Sequence, residues 1–270
     1  MTRLGLFLVL IAGTGISLAS QTPRFEVATI RPSTADSRAD NRSEVQPSGL
    51  FIASNMTLDE LVRGVFEVQR HELVLGDRVP AWFGSQRWDI TGKGPPVTNE
   101  AAQRPLYLTM MRNLLIERFK LVTRREARDT PVYALVAARN DRSLGPQMRP
   151  SSADCAALLT AFRATGVRQT PDSPVCGLRN LRTQLWGTGV PLTELIRILS
   201  LRAGRPVVDA TGLTGAFDLD VKFTPDDSAD PAGGASLFTA VQEQLGLRLE
   251  PRRAPINVLV IDSVERPAPE

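Results

Sequence analysis

The chain has 270 residues, 42% hydrophobic and 23% charged, a balance that supports a buried core and excludes a disordered or fibrous protein. The formal net charge is only +3, and 29 arginines against three lysines gather into no arginine-rich helix or aromatic-basic platform, which argues against a nucleic-acid partner.

The opening "MTRLGLFLVLIAGTGISLAS" has the layout of a secretory signal: Arg3, an apolar run from Leu4 to about Ile16, then small residues. The run is shorter than the ~20 residues that span a bilayer, and no cysteine follows it to carry a lipid. Cleavage is expected after Ala19, or after Ser20 one residue on, leaving an exported chain, periplasmic or extracellular, with no stable membrane span.

Two strands, "FEVATI" and "GLFIASN", come next. Leu58, Leu61, Val62 and Val65 then recur at helical spacing within residues 56–68, with Thr57 and Glu60 set for a capping box. The strand "HELVLG", a turn, the strand around "RWDITGK" and a helix over 106–119 follow. "RFKLVTRREARDTPVYALV", residues 118–136, reads as two strands joined by a basic turn. After a Pro/Ser/Arg-rich stretch and an extra strand "LRTQLW" the same order returns. A helix with Leu192, Leu195, Ile196 and Leu199 starts near Pro191 and ends at Gly204. Then come "RPVVDA", the alternating strand "FDLDVKF", a helix "SLFTAVQEQLG" capped by Ser236, and a closing hairpin "QLGLRLEPRRAPINVLV".

The expected fold is therefore α+β: two related α-β-β-α-β-β modules from an internal duplication, joined by a disulfide-tied linker. The signal occupies 1–19, the first module with its extra strands 20–138, and the linker 139–189. The second module covers 190–264, and a disordered tail 265–270. Within the linker, with a short helix expected around 155–163, Cys155 and Cys176 read as a disulfide in an exported chain, stabilising by roughly 3 kcal/mol on the chain-entropy argument.

The ordered set "FEVATIRPS", "MTLDELV", "GRPVVDATGLTGAFDLDVKFTPD" and "SLFTAVQEQLGLRLEPRRAPINVLVIDSVERP" closely resembles an uncharacterised exported family of Acidobacteria, first noticed in Solibacter, over essentially the whole mature chain. That family has no established catalytic residue to carry over. Some members attach this module behind a membrane zinc peptidase, whose H-E-x-x-H motif is absent here, so the resemblance implies an accessory role to such a sensor as one alternative. Each half also resembles, more distantly, the short N-terminal domain of secretins and TonB-dependent receptors, an envelope module that contacts other proteins.

Chemistry is thinly supplied. His71 is the sole histidine, and no G-x-S-x-G elbow accompanies it. Asp218 and Asp220 share one face of a strand, and Asp226, Asp227 and Asp230 lie in a Pro/Gly/Ser loop whose spacing fits no EF-hand. Gly233-Gly234 before Ser236 lacks the lysine of a P-loop. No cofactor or metal is expected. The surfaces that suit binding are the aromatic turn Trp82, Phe83 and Trp88, whose rings either face a partner or pack on the helix 106–119, and the basic tips Arg124, Arg125, Arg252 and Arg253. The favoured function is a non-enzymatic module that binds an envelope or secreted protein through sheet edges and exposed turns. The alternative is a hydrolase of envelope or extracellular polymers acting through acidic residues.

Overall fold

A computed structural model describes residues 22–34, 41–155, 157–158, 160, 176–225 and 234–268. The expected leader, most of the expected 155–163 helix and the Asp226–Asp230 cluster lie outside these residues. Among the described residues the chain is α+β, with twelve strands in three four-stranded sheets and four α-helices. In chain order the first elements are β1 (Val27–Pro32), β2 (Arg42–Val45), β3 (Leu50–Thr57), α1 (Leu58–Phe66), β4 (Leu73–Arg78), β5 (Arg87–Lys93), α2 (Glu100–Arg118) and β6 (Val122–Ala137). There follow β7 (Met148–Pro150), β8 (Gly177–Asn180), β9 (Gln184–Pro191), α3 (Leu192–Ala203), β10 (Val207–Asp209), β11 (Ala216–Lys222), α4 (Leu237–Ala240) and β12 (Leu247–Ser263).

The chain divides into two compact units, one of Met1–Leu61, Gly84–Lys120 and Arg266–Glu270, the other of Val62–Phe83 and Leu121–Glu265. The first unit holds an antiparallel sheet of order β1-β5-β3-β2. Alternation along β3 and β5 turns Phe51, Ala53, Trp88 and Ile90 inward. Helix α2 buries Met110, Met111 and Leu115, and Phe119, just past its end, is buried and meets Trp88 edge-to-face at 5.2 Å. The Tyr107 hydroxyl donates to the carbonyls of Gly49 and Pro95, 3.1 and 2.5 Å away, fixing the helix's other end. The expected capping box forms at α1. The Glu60 N–H donates to Thr57 Oγ1, and the Thr57 N–H to the Glu60 carboxylate. Leu58, Leu61, Val62 and Val65 are all buried, as their spacing requires.

The second unit holds the other two sheets. Its central sheet has the order β10-β6-β12-β4. Here the two expected hairpins are overturned, because β6 and β12 are each one long strand. They pair antiparallel with each other, from Leu247↔Ala137 to Ile261↔Thr123. "TRREARD" and "EPRRAP" carry charge but no Asn-Gly or Gly-Gly, and charged side chains sit comfortably in a two-stranded ribbon that water reaches. β4 joins β12 in parallel and β10 joins β6 in parallel, at opposite ends of the ribbon. The outer sheet, β7-β11-β9-β8, takes β7 and β8 from the stretch expected to be linker, while β9 overlaps the extra strand expected at "LRTQLW". Helices α3 and α4 pack Leu195, Leu199 and Leu237 into one cluster with Leu135, Phe217, Leu219 and Leu247. Ser236 caps α4 through the Thr239 N–H, and Gly204 ends α3 at φ +61°.

The outer sheet repeats the first unit's sheet register for register. β3 pairs with β5 from Leu50↔Lys93 to Thr57↔Arg87, with a bulge between Ala53 and Met56. β9 pairs with β11 from Gln184↔Lys222 to Pro191↔Ala216, with a bulge between the same steps. At each bulge one residue is left-handed, Asn55 at φ +56° and Gly189 at φ +62°. Its N–H donates to a carboxylate on the neighbouring strand, Asp89 at 2.8 Å and Asp218 at 3.1 Å. In the central sheet Leu73↔Leu259 and Val207↔Tyr133 are likewise matched.

Candidate functional site

The acidic candidates are tied into the scaffold. Asp218 Oδ1 accepts from the Gly189 N–H, and its other oxygen from Arg149 at 3.3 Å. Burial pushes the Asp218 carboxyl up, but the Ser151 hydroxyl, the Gly189 N–H and Arg149 outweigh it and hold the group below the usual carboxylate range. An anion so held supplies no proton to a leaving group. Asp220 accepts from the Gln184 side chain at 2.6 Å. His71 lies in a single 3-10 turn, where burial depresses its pKa against the opposing charge of Glu72, so it is neutral at pH 7. Among the described residues no group of three His, Cys, Asp or Glu side chains is placed to hold a metal, and no helix is long and apolar enough to cross a membrane.

Cys155 and Cys176 form the expected disulfide, with Cα atoms 5.6 Å apart. Its Cys155 sulfur packs on the β9 bulge so closely that a Cβ at Gly189 would come within 2.4 Å of it. The aromatic turn does not present three rings. Phe83 is 1% exposed and Trp88 3%, the latter packed on Phe119 just past α2, while Trp82 is half-buried.

The four predicted arginines gather on the β6–β12 ribbon, and so does the open part of the central sheet. The Tyr133 N–H donates to the Pro206 carbonyl, and the Leu135 carbonyl accepts from the Ala210 N–H. Odd-numbered residues of β6 therefore direct their backbone groups away from β12. The register is unbroken from there to Thr123, while β10 covers only Tyr133 to Leu135. The backbone of Thr123, Arg125, Ala127 and Asp129 thus lies on an edge with no neighbouring strand among the described residues. On β12 the matching outward positions between the β4 contact and the far end include Pro251, Arg253, Pro255 and Asn257. Pro131, Pro251 and Pro255 all fall on outward positions, where a missing N–H costs the ladder nothing.

Ion pairs staple the ribbon. Glu126 receives Arg124 and Arg128 at 2.5 and 2.8 Å, and Glu250 receives Arg252 at 2.7 Å together with Arg248. The hydrogen bond from Arg128, ahead of the charge of its neighbours, holds Glu126 below the usual carboxylate range. Arg253 pairs with Asp129 at 2.6 Å across the strands. Arg125 differs, because its guanidinium donates to the neutral carbonyl of Phe66 at 3.3 Å. Sequence reasoning named these arginines as turn tips; the signal it missed was the odd spacing of the three prolines, which marks two outer edges.

No curated protein and no solved structure matches the chain. A family described as a protein of unknown function (DUF3738) matches residues 59–264, and the chain belongs to it.

Proposed function

We propose that the chain is an exported, non-enzymatic protein-binding module of the cell envelope or extracellular space, docking a partner along the edge of its central sheet. The carrying observation is the outward backbone of Thr123, Arg125, Ala127 and Asp129, donors and acceptors already in strand geometry beside no described neighbour. The leader at 1–19, the disulfide and the resemblance to exported Acidobacterial proteins support the compartment. An internal duplication, with β1–β6 as one copy and β7–β12 as the other, accounts for the matched registers and for two related edges. The tethered Asp218 weighs against the hydrolase. The accessory role to a membrane peptidase is one setting in which such a module would act.

Only Lys93, Lys120 and Lys222 carry side-chain amines, so amine cross-linking would sample the molecule poorly. A photoreactive side chain at residue 127 of mature protein, with a second variant labelled at exposed Gly84, suits the test better. Irradiation in envelope extract should join a reproducible partner to position 127 and not to 84. Equal yields at both sites, or none above background, would refute edge docking.

A further inference from the structure

Resting on the docking reading, we infer that only one of the two related edges is functional, that of β6 from Thr123 to Asp129, and that it takes an extended acidic segment of another protein as an added strand. The two edges are counterparts, since the ribbon pairs Asp129 with Pro255 at its midpoint and β4 and β10 flank it at opposite ends. Counting outward from that midpoint, Arg125 on β6 corresponds to Pro251 on β12, Ala127 to Arg253 and Asp129 to Pro255. On β12, therefore, two of three central donors are replaced by prolines, and an added strand would find one N–H where it needs alternating ones. On β6 the run from Thr123 to Asp129 keeps every N–H.

Charge selects the occupant. Between residues 123–130 and 250–257 the ribbon carries Arg124, Arg125, Arg128, Arg252 and Arg253 against Glu126, Asp129 and Glu250. Four of those arginines already face a carboxylate. Arg125 stands on the open edge with only a neutral carbonyl to satisfy it, and among the described residues no carboxylate pairs with it. A strand laid along this edge would set its side chains beside those of β6, so a glutamate or aspartate next to Arg125 completes the pattern of the ribbon.

The test uses the full mature chain and two ten-residue synthetic peptides, alternating threonine with glutamate or threonine with lysine. Amide hydrogen exchange is read residue by residue. The acidic peptide should protect Thr123, Arg125, Ala127 and Asp129 and leave Arg253 unchanged, while the lysine peptide protects none. Arg125→Gln should weaken the acidic peptide about two- to fivefold, the worth of one partly exposed ion pair. Ala127→Pro, at an outward position of the kind that Pro131 already occupies, should abolish protection with the circular dichroism spectrum intact. Equal protection by both peptides would leave edge docking standing and overturn the acidic partner. Protection at Arg253 as well would overturn the single edge. Protection by neither peptide would overturn both the inference and the docking reading.

Discussion

Asp218 looks at first like half of a catalytic carboxylate pair, and its surroundings make it a strut. A left-handed residue at a bulge leaves its N–H pointing across to the next strand, where only an anion or carbonyl can meet it. Asp218 meets Gly189 there, as Asp89 meets Asn55. Glycine stands at 189 because the Cys155 sulfur leaves no room for a side chain. The carboxylate's lowered pKa has a consequence for stability. A group whose folded pKa lies below its unfolded value of about 3.9 stabilises fully above that value, and the contribution is lost as pH falls through the folded pKa. Asp218→Asn should therefore cost about 1–3 kcal/mol at pH 7, where a charge-assisted bond is replaced by a weaker one. Below the folded pKa the two proteins should converge. Urea unfolding of both in steps from pH 7 down through and below the unfolded value measures this, and the difference should shrink as the pH falls. A difference that stays constant over the whole descent would mean that the charge is not what Gly189 and Arg149 are holding.

The β6–β12 ribbon shows how an element can be misread from good signals. Strict alternation of apolar residues marks a strand with one face in a core, as in β11, whose Phe217, Leu219 and Val221 were legible as such. Where a ribbon is wet on both faces, as along Arg124–Asp129, that alternation disappears and charge imitates a turn. The long strand was visible instead through its prolines, each at an outward position. A pair of substitutions one residue apart makes the distinction sharp. Glu126 faces β12 opposite Val258, so Glu126→Pro should remove a ladder bond and cost about 1–3 kcal/mol. Ala127→Pro should lower the melting temperature far less. Calorimetry of the two variants settles the orientation of the edge, and equal melting temperatures would reverse it. The same blindness hid β7 in the stretch taken as linker. "IRPS" at 30–33 and "MRPS" at 148–151 put Arg31 opposite Asp89 and Arg149 opposite Asp218. A four-residue match is too short to stand out before its strand partners are known. The helices α1 and α3 were legible because nine and twelve residues of 3.6-residue periodicity leave little room for another reading.

At the scale of the whole chain, strand exchange is what separates this architecture from two beads on a linker. The half before residue 140 contributes β4 to the strand β12 of the other half, and the later half returns β10 to β6. Neither half can complete the central sheet with its own strands, and the sixteen paired positions of β6 and β12 lie wholly between halves. The apolar residues at stake, among them Leu135, Leu247, Leu249 and Val207, form one buried cluster, so parting the halves would expose that surface to water along with the ladder bonds. A protease site placed between Asn140 and Asp141, in an exposed turn, puts this to a physical test. The disulfide joins residues 155 and 176, both on one side of the cut, and cannot hold the fragments together. Gel filtration after cleavage should still give one peak at the size of the 29.5 kDa chain, or slightly smaller if the leader is gone, with both fragments on a denaturing gel. They should part only in denaturant, in the same transition that unfolds the uncut protein. Fragments that elute separately in native buffer would mean that each half closes its own core and that the exchanged strands are ornament.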